Sequence, residues 1–215
     1  MNRVQAVLFD LDGVLIDSMP SHERAWRQVL SEVGIEPSPL YIRLHEGEKA
    51  ETTVRKLLQE WGRSATDAEV TKLIARKREL YRSMAVHGLI PAARQTVDKL
   101  LAAKIRCGIV TGSVRANMNG VMTAEEIALF DPIISAEMCQ HGKPHPEPYL
   151  KALEILNLPA HACLVVENAP LGIRSAKAAG IQVVALTVTL PREQLSEADV
   201  IVDRHEELLE IVGVK

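Results

Sequence analysis

The chain has 215 residues, 47% of them hydrophobic and 25% charged, with a formal net charge of −3. That length suits one domain, or one domain with a modest insertion, and the composition suits a packed core beneath a soluble surface. The small negative charge leaves no footprint for nucleic acid, and no apolar stretch is long enough to span a bilayer.

Cys107, Cys139 and Cys163 are odd in number and lack Cys-x-x-Cys spacing, so they read as reduced structural residues of a cytoplasmic protein. The opening residues also lack the charged head and long apolar run of a signal peptide. Oligomeric state stays open, with a monomer the simplest expectation.

The first element is an apolar run, Val4 to Phe9, that reads as a strand buried on both faces. Asp10, Asp12 and Gly13 follow at once. Alternation along an extended chain lets both carboxylates face one space, which is unfavourable without a cation or a shared proton. A simple turn explains Asp-Leu-Asp-Gly equally well at this point.

Helical spacing comes next. Ser18 or Ser21 can cap, Pro20 suits a first turn, and Ala25, Trp26, Val29, Leu30 and Val33 recur before Gly34. Pro37 and Pro39 break the chain. A second helix is expected over about Lys49–Trp61, with Val54, Leu57, Leu58 and Trp61 on one face. Thr66 and Glu69 have capping-box spacing ahead of a third helix, and the basic run Lys72 to Arg82 reads as its solvated face.

From His87 onward strands and helices alternate. Strands are expected at Ile105–Val110, Ile133–Ser135, Cys163–Val166, Val183–Leu186 and Val200–Val202, and helices at Thr96–Ala103, Arg115–Val121, Pro146–Leu156, Leu171–Ala179 and Glu206–Val212. The fold class is therefore α/β: a Rossmann-like parallel sheet with an inserted all-helical cap. Residues 1–16 and 87–215 form the core in this reading, and 17–86 the cap. The strand ends at Thr111 and Glu167 should open on the same side as Asp10.

Four segments together carry a resemblance. Phe9-Asp10-Leu11-Asp12-Gly13-Val14, Thr111-Gly112-Ser113, Gly142-Lys143-Pro144 and Val166-Glu167-Asn168 resemble, in order and strand-end placement, the motifs of the haloacid dehalogenase superfamily of phosphohydrolases. The resemblance implies that Asp10 is the nucleophile and Asp12 the general acid and base. It implies that Thr111, with Gly112 and Ser113, holds a phosphate oxygen, and that Lys143 balances charge. It further implies Mg²⁺ held by Asp10, the backbone carbonyl of Asp12, Glu167 and Asn168.

An acid at position 12 points to phosphate esters within that superfamily. Asn168 departs from the commoner pair of acids and removes one negative charge, so weaker metal binding is expected. His141 and His145 read as loop residues.

His22, Ala25, Trp26 and Arg27 resemble the start of the cap in the beta-phosphoglucomutase and sugar phosphatase subgroup. That implies a small phosphorylated metabolite as partner, with His22, Arg27 and Lys49 as candidates for contacting it. No arginine stands within Gly47–Glu51, where the mutase uses one, although Arg43 and Arg55 flank the stretch. A phosphatase for a sugar, polyol or acid phosphate is therefore expected. The alternatives are a phosphosugar mutase and a non-catalytic phosphate-binding regulator.

Overall fold

The computed structural model describes residues 4–214. The chain opens with β1 (Ala6–Phe9) and then runs through four helices without a strand: α1 (Met19–Ser31), α2 (Pro39–Leu44), α3 (Ala50–Glu60) and α4 (Asp67–Met84). Alternation follows, with α5 (Pro91–Ala102), β2 (Arg106–Val110), α6 (Arg115–Val121), α7 (Ala124–Ile127) and β3 (Ile133–Ile134). The last part comprises α8 (Glu147–Leu156), β4 (Cys163–Glu167), α9 (Pro170–Ala178), β5 (Gln182–Leu186), β6 (Val200–Val202) and α10 (Glu207–Val212).

The six strands form one parallel sheet in the order β3-β2-β1-β4-β5-β6. Strand order reverses at β1, which pairs with β2 on one side and β4 on the other, and that is where open α/β sheets place their ligands. Both faces are covered. Val7 and Phe9 pack toward α5 and α10 through Val97, Leu100, Leu208 and Leu209. Ala6 and Leu8 pack toward α8 and α9 through Tyr149, Ala152, Ile173 and Ala176. Each fully buried aliphatic side chain contributes roughly 1.5–3 kcal/mol, which explains why strands this short persist.

The helical block shares the first of these cores, through Val29, Leu30, Leu57, Val70 and Tyr81. Thr66 and Glu69 form the anticipated capping box on α4. Ser18 stands at the N-cap of α1, as anticipated, but its side chain makes no capping bond: Ser18 Oγ donates to Asp12, and Ser21 Oγ donates to the Met84 carbonyl. Two short helices were not anticipated. Pro39 starts α2 rather than breaking the chain, because proline is tolerated at a first helical position, and Ser38 caps it. Thr123 and Glu126 form a second capping box on α7.

Trp61 falls just past α3 and is 41% exposed, edge-on to Tyr41, so the expected apolar face ends at Leu58. The three cysteines are free and buried. Among the described residues, no helix is long and apolar enough to cross a membrane.

Candidate active site

Register brings the motifs together. Phe9 pairs with Ile109 and with Val166, so Asp10, Val110 and Glu167 emerge at one level on three adjacent strands. The buried Lys143 Nζ donates to all three: to Asp10 Oδ1 at 2.8 Å, the Val110 carbonyl at 3.0 Å and Glu167 Oε1 at 2.6 Å. Burial alone would lower the Lys143 ammonium, but the Asp10 and Glu167 carboxylates outweigh it and hold the lysine protonated. Tyr149 was not anticipated as a site residue, and its hydroxyl donates to the same Glu167 oxygen at 2.8 Å.

Asp10 and Asp12 are treated oppositely. Burial pushes the Asp10 carboxyl well above its ordinary range; Lys143 opposes this, while Glu167 and Asp12 add to it. Burial also acts to raise Asp12, but His22, Ser18 and Ser113 overcome it and hold that carboxyl below the usual range. Ser18 Oγ donates to Asp12 Oδ1 at 2.6 Å, His22 Nε2 lies 3.0 Å from the same oxygen, and Ser113 Oγ donates to Oδ2 at 2.8 Å. Such pairs, pushed apart by their surroundings, are the usual mark of carboxylates with different tasks.

His22 is backed by a residue that sequence reasoning missed. Lys77 Nζ lies 2.6 Å from His22 Nδ1. An ionised carboxylate can only accept, so His22 donates through Nε2, and its bare Nδ1 accepts from the lysine. Lys77 is 6% exposed and sits over the Trp26 and Tyr81 rings, so burial lowers it to about 8. It is not part of a solvated face. Its spacing from Val70, Ile74 and Tyr81 puts it on the apolar stripe of α4, and a lysine in that stripe was the available signal.

The donor set fits a hard cation. Asp10 and Glu167 are two buried carboxylates against one ammonium at Lys143, which leaves surplus negative charge among oxygen ligands. Asn168 Oδ1 is buried without a hydrogen-bond partner, while Nδ2 donates to the Asp12 carbonyl and to Thr189 Oγ1. Two glycines make the space. A Cβ at Gly172 would lie 1.8 Å from Glu167 Oε1, and one at Gly13 2.2 Å from Asn168 Nδ2.

The second motif is also in place. Thr111 Oγ1 accepts from the Ser113 N–H at 2.9 Å, which tightens the turn beside Asp12. Over it lies the α2–α3 loop, so close that a Cβ on Gly112 would meet the Gly47 carbonyl oxygen at 2.5 Å. Lys49 borders the site, but its ammonium donates to the Cys139 and Gln140 carbonyls at 2.6 and 2.9 Å. It ties the α2–α3 loop to the loop before α8. Arg27 is not brought to the site: it lies on the exposed outer side of α1, one position past the inward-facing Trp26. His141 and His145 are exposed loop residues.

Between the helical block and the strand ends lies a cavity of about 260 Å³, with His22 and Ser113 among its lining residues. Residues 7–186 match the haloacid dehalogenase-like hydrolase family. Hexitol phosphatase A of Escherichia coli is 31% identical over 210 residues, covering 96% of this chain and 94% of that one. Validoxylamine A 7'-phosphate phosphatase of Streptomyces hygroscopicus is 31% identical, covering 92% of each. The crystal structure of beta-phosphoglucomutase from Clostridium difficile shares the fold, with TM-score 0.84 and 24% identity over 98% of this chain and 97% of that one.

Proposed function

The chain belongs to the haloacid dehalogenase-like hydrolases and is a phosphohydrolase, and from that membership we propose that it is a Mg²⁺-dependent phosphatase of small phosphorylated metabolites. Its substrates in this reading are monoesters of a sugar, polyol or acid, hydrolysed through an aspartyl phosphate on Asp10. One observation carries the reading: Lys143 ties Asp10 to Glu167, while Asp12, two residues on, is held by a separate set of donors. A nucleophile and a proton carrier need that separation.

The chemistry divides into two steps. An Asp10 oxygen attacks phosphorus, the bond from phosphorus to the leaving oxygen breaks, and Asp12, entering this step in its protonated form, gives that oxygen the proton. Asp12 is then the carboxylate that Ser18, His22 and Ser113 favour, and it takes a proton from water, which restores the acid for the next ester. The water oxygen attacks phosphorus, the bond to Asp10 breaks, and inorganic phosphate leaves. Lys143 offsets the repulsion between the Asp10 carboxylate and the anionic ester, and Thr111 and the turn after it orient the phosphoryl oxygens. Mg²⁺, when held by Asp10, the Asp12 carbonyl, Glu167 and Asn168, supplies further charge neutralisation at the phosphoryl group.

Residues 17–86 serve as the cap over a core of 1–16 and 87–215. The cavity between them matches a small leaving group in size, and the names of the two phosphatase relatives support the same substrate range. A panel of phosphorylated sugars, polyols and acids, assayed with and without Mg²⁺ for phosphate release, tests the reading. Release that requires Mg²⁺ is expected. Conversion of beta-glucose 1-phosphate to the 6-phosphate with little free phosphate would overturn it in favour of a mutase.

A further inference from the structure

Most charged groups around the leaving-group cavity are already committed within the protein. Lys49 is held by two carbonyls, Lys77 by His22, and Glu48 by Lys56 and Thr53. Glu137 accepts from the Arg115 N–H at 2.8 Å. Glu46 and Arg78 also line the cavity, and neither forms an ion pair among the described residues. Burial pushes the Glu46 carboxyl up and the Asp12 carboxylate adds to this, while Lys77 opposes it. Asn117 is the third wall residue: it is 9% exposed, and its Oδ1 is buried with no hydrogen-bond partner.

Resting on the phosphatase reading above, we propose that the cavity walled by Glu46, Arg78 and Asn117 selects a neutral polyhydroxylated leaving group and rejects esters bearing a second anion at the far end. A hydroxyl both donates and accepts, so a row of them can give to Glu46 while receiving from Arg78. A far-end carboxylate or phosphate has no proton to give. It would gain Arg78 but face Glu46, and like charges in a partly buried space are strongly disfavoured.

The test compares kcat/KM for three six-carbon esters: a hexitol 6-phosphate, the corresponding 6-phosphohexonate and a hexose 1,6-bisphosphate. p-Nitrophenyl phosphate serves as a generic ester. The hexitol ester is expected to exceed both two-anion esters by about 100-fold or more. Glu46→Gln should shrink that ratio by about tenfold, chiefly by raising activity on the two-anion esters. Arg78→Gln should lower kcat/KM for the hexitol ester by roughly tenfold, mostly through KM.

A wild-type preference for the two-anion esters would overturn the inference. So would an unchanged ratio in Glu46→Gln protein that melts like wild type. Turnover of p-nitrophenyl phosphate without a hexitol preference sinks this inference alone. No turnover of any ester sinks the phosphatase reading and this inference with it.

Discussion

Asp10 is costly to the resting protein. Its carboxyl is driven well above the ordinary range by burial and by its acidic neighbours, against the pull of Lys143, so ionising it costs the folded state stability. A raised carboxyl means that the folded protein binds a proton more readily than the unfolded chain, and stability falls as pH rises. Asp10→Asn should therefore raise the melting temperature in chelator by about 2–4 °C while removing turnover, a trade expected of a strained catalytic group. A differential scanning measurement beside an activity assay checks both. A drop in melting temperature would contradict the account.

At this scale the sequence was readable where chemistry is dense in a short string. Asp10, Asp12, Thr111, Lys143 and Glu167 all meet, because each stands at or just past a strand end, or on a loop stiffened by prolines. Lys77 and Tyr149 were not read as site residues. Both act through partners 55 and 18 residues away, and nothing local marks them. Arg27 failed for a similar reason: one step along a helix turns a side chain by about 100°, enough to point it to solvent.

The elements around the site have their own signatures. Glu147 at the start of α8 accepts the N–H groups of Gln140 and His141, which hold its carboxyl down to about 2 from an ordinary 4.5. A depressed carboxyl gives stability that is full above its unfolded value and is lost as pH falls toward the folded one. Glu147→Gln should thus be less stable than wild type at pH 7, with the gap closing as pH drops from about 4.5 toward 2. Paired denaturant titrations would show it.

The meeting of the α2–α3 loop with the α6 turn is a second case. A methyl on Gly112 would strike the Gly47 carbonyl, so Gly112→Ala should keep the cap from seating. We expect kcat to fall by about 10²-fold with little change in melting temperature, since the contact positions groups rather than building the core. Equal kcat would show that cap closure does not need this contact. The two short helices escaped a reading by periodicity because four to six residues are too few to display one, although the Thr123–Glu126 spacing was there to be seen.

Across the whole molecule, the order of strands explains why function could be read before structure. A parallel sheet that reverses at β1 gathers the ends of β1, β2 and β4, and those ends carry the acids, the threonine and the loop that Lys143 enters. The alternation from His87 onward predicts such a sheet, and the strandless stretch between β1 and α5 predicts the insertion over it. What the leaving group looks like was not legible. It depends on Glu46, Arg78 and Asn117, which come from three separate segments and meet only in the folded cavity.

The central claim is that Asp10 takes the phosphoryl group in a site completed by a divalent cation. It is tested most directly by phosphate release from a hexitol phosphate, comparing wild type and Asp10→Asn, each with Mg²⁺ and with chelator. The account predicts release by wild type with Mg²⁺ alone, and none above background from folded Asp10→Asn under either condition. Release by Asp10→Asn at a rate near wild type would contradict it.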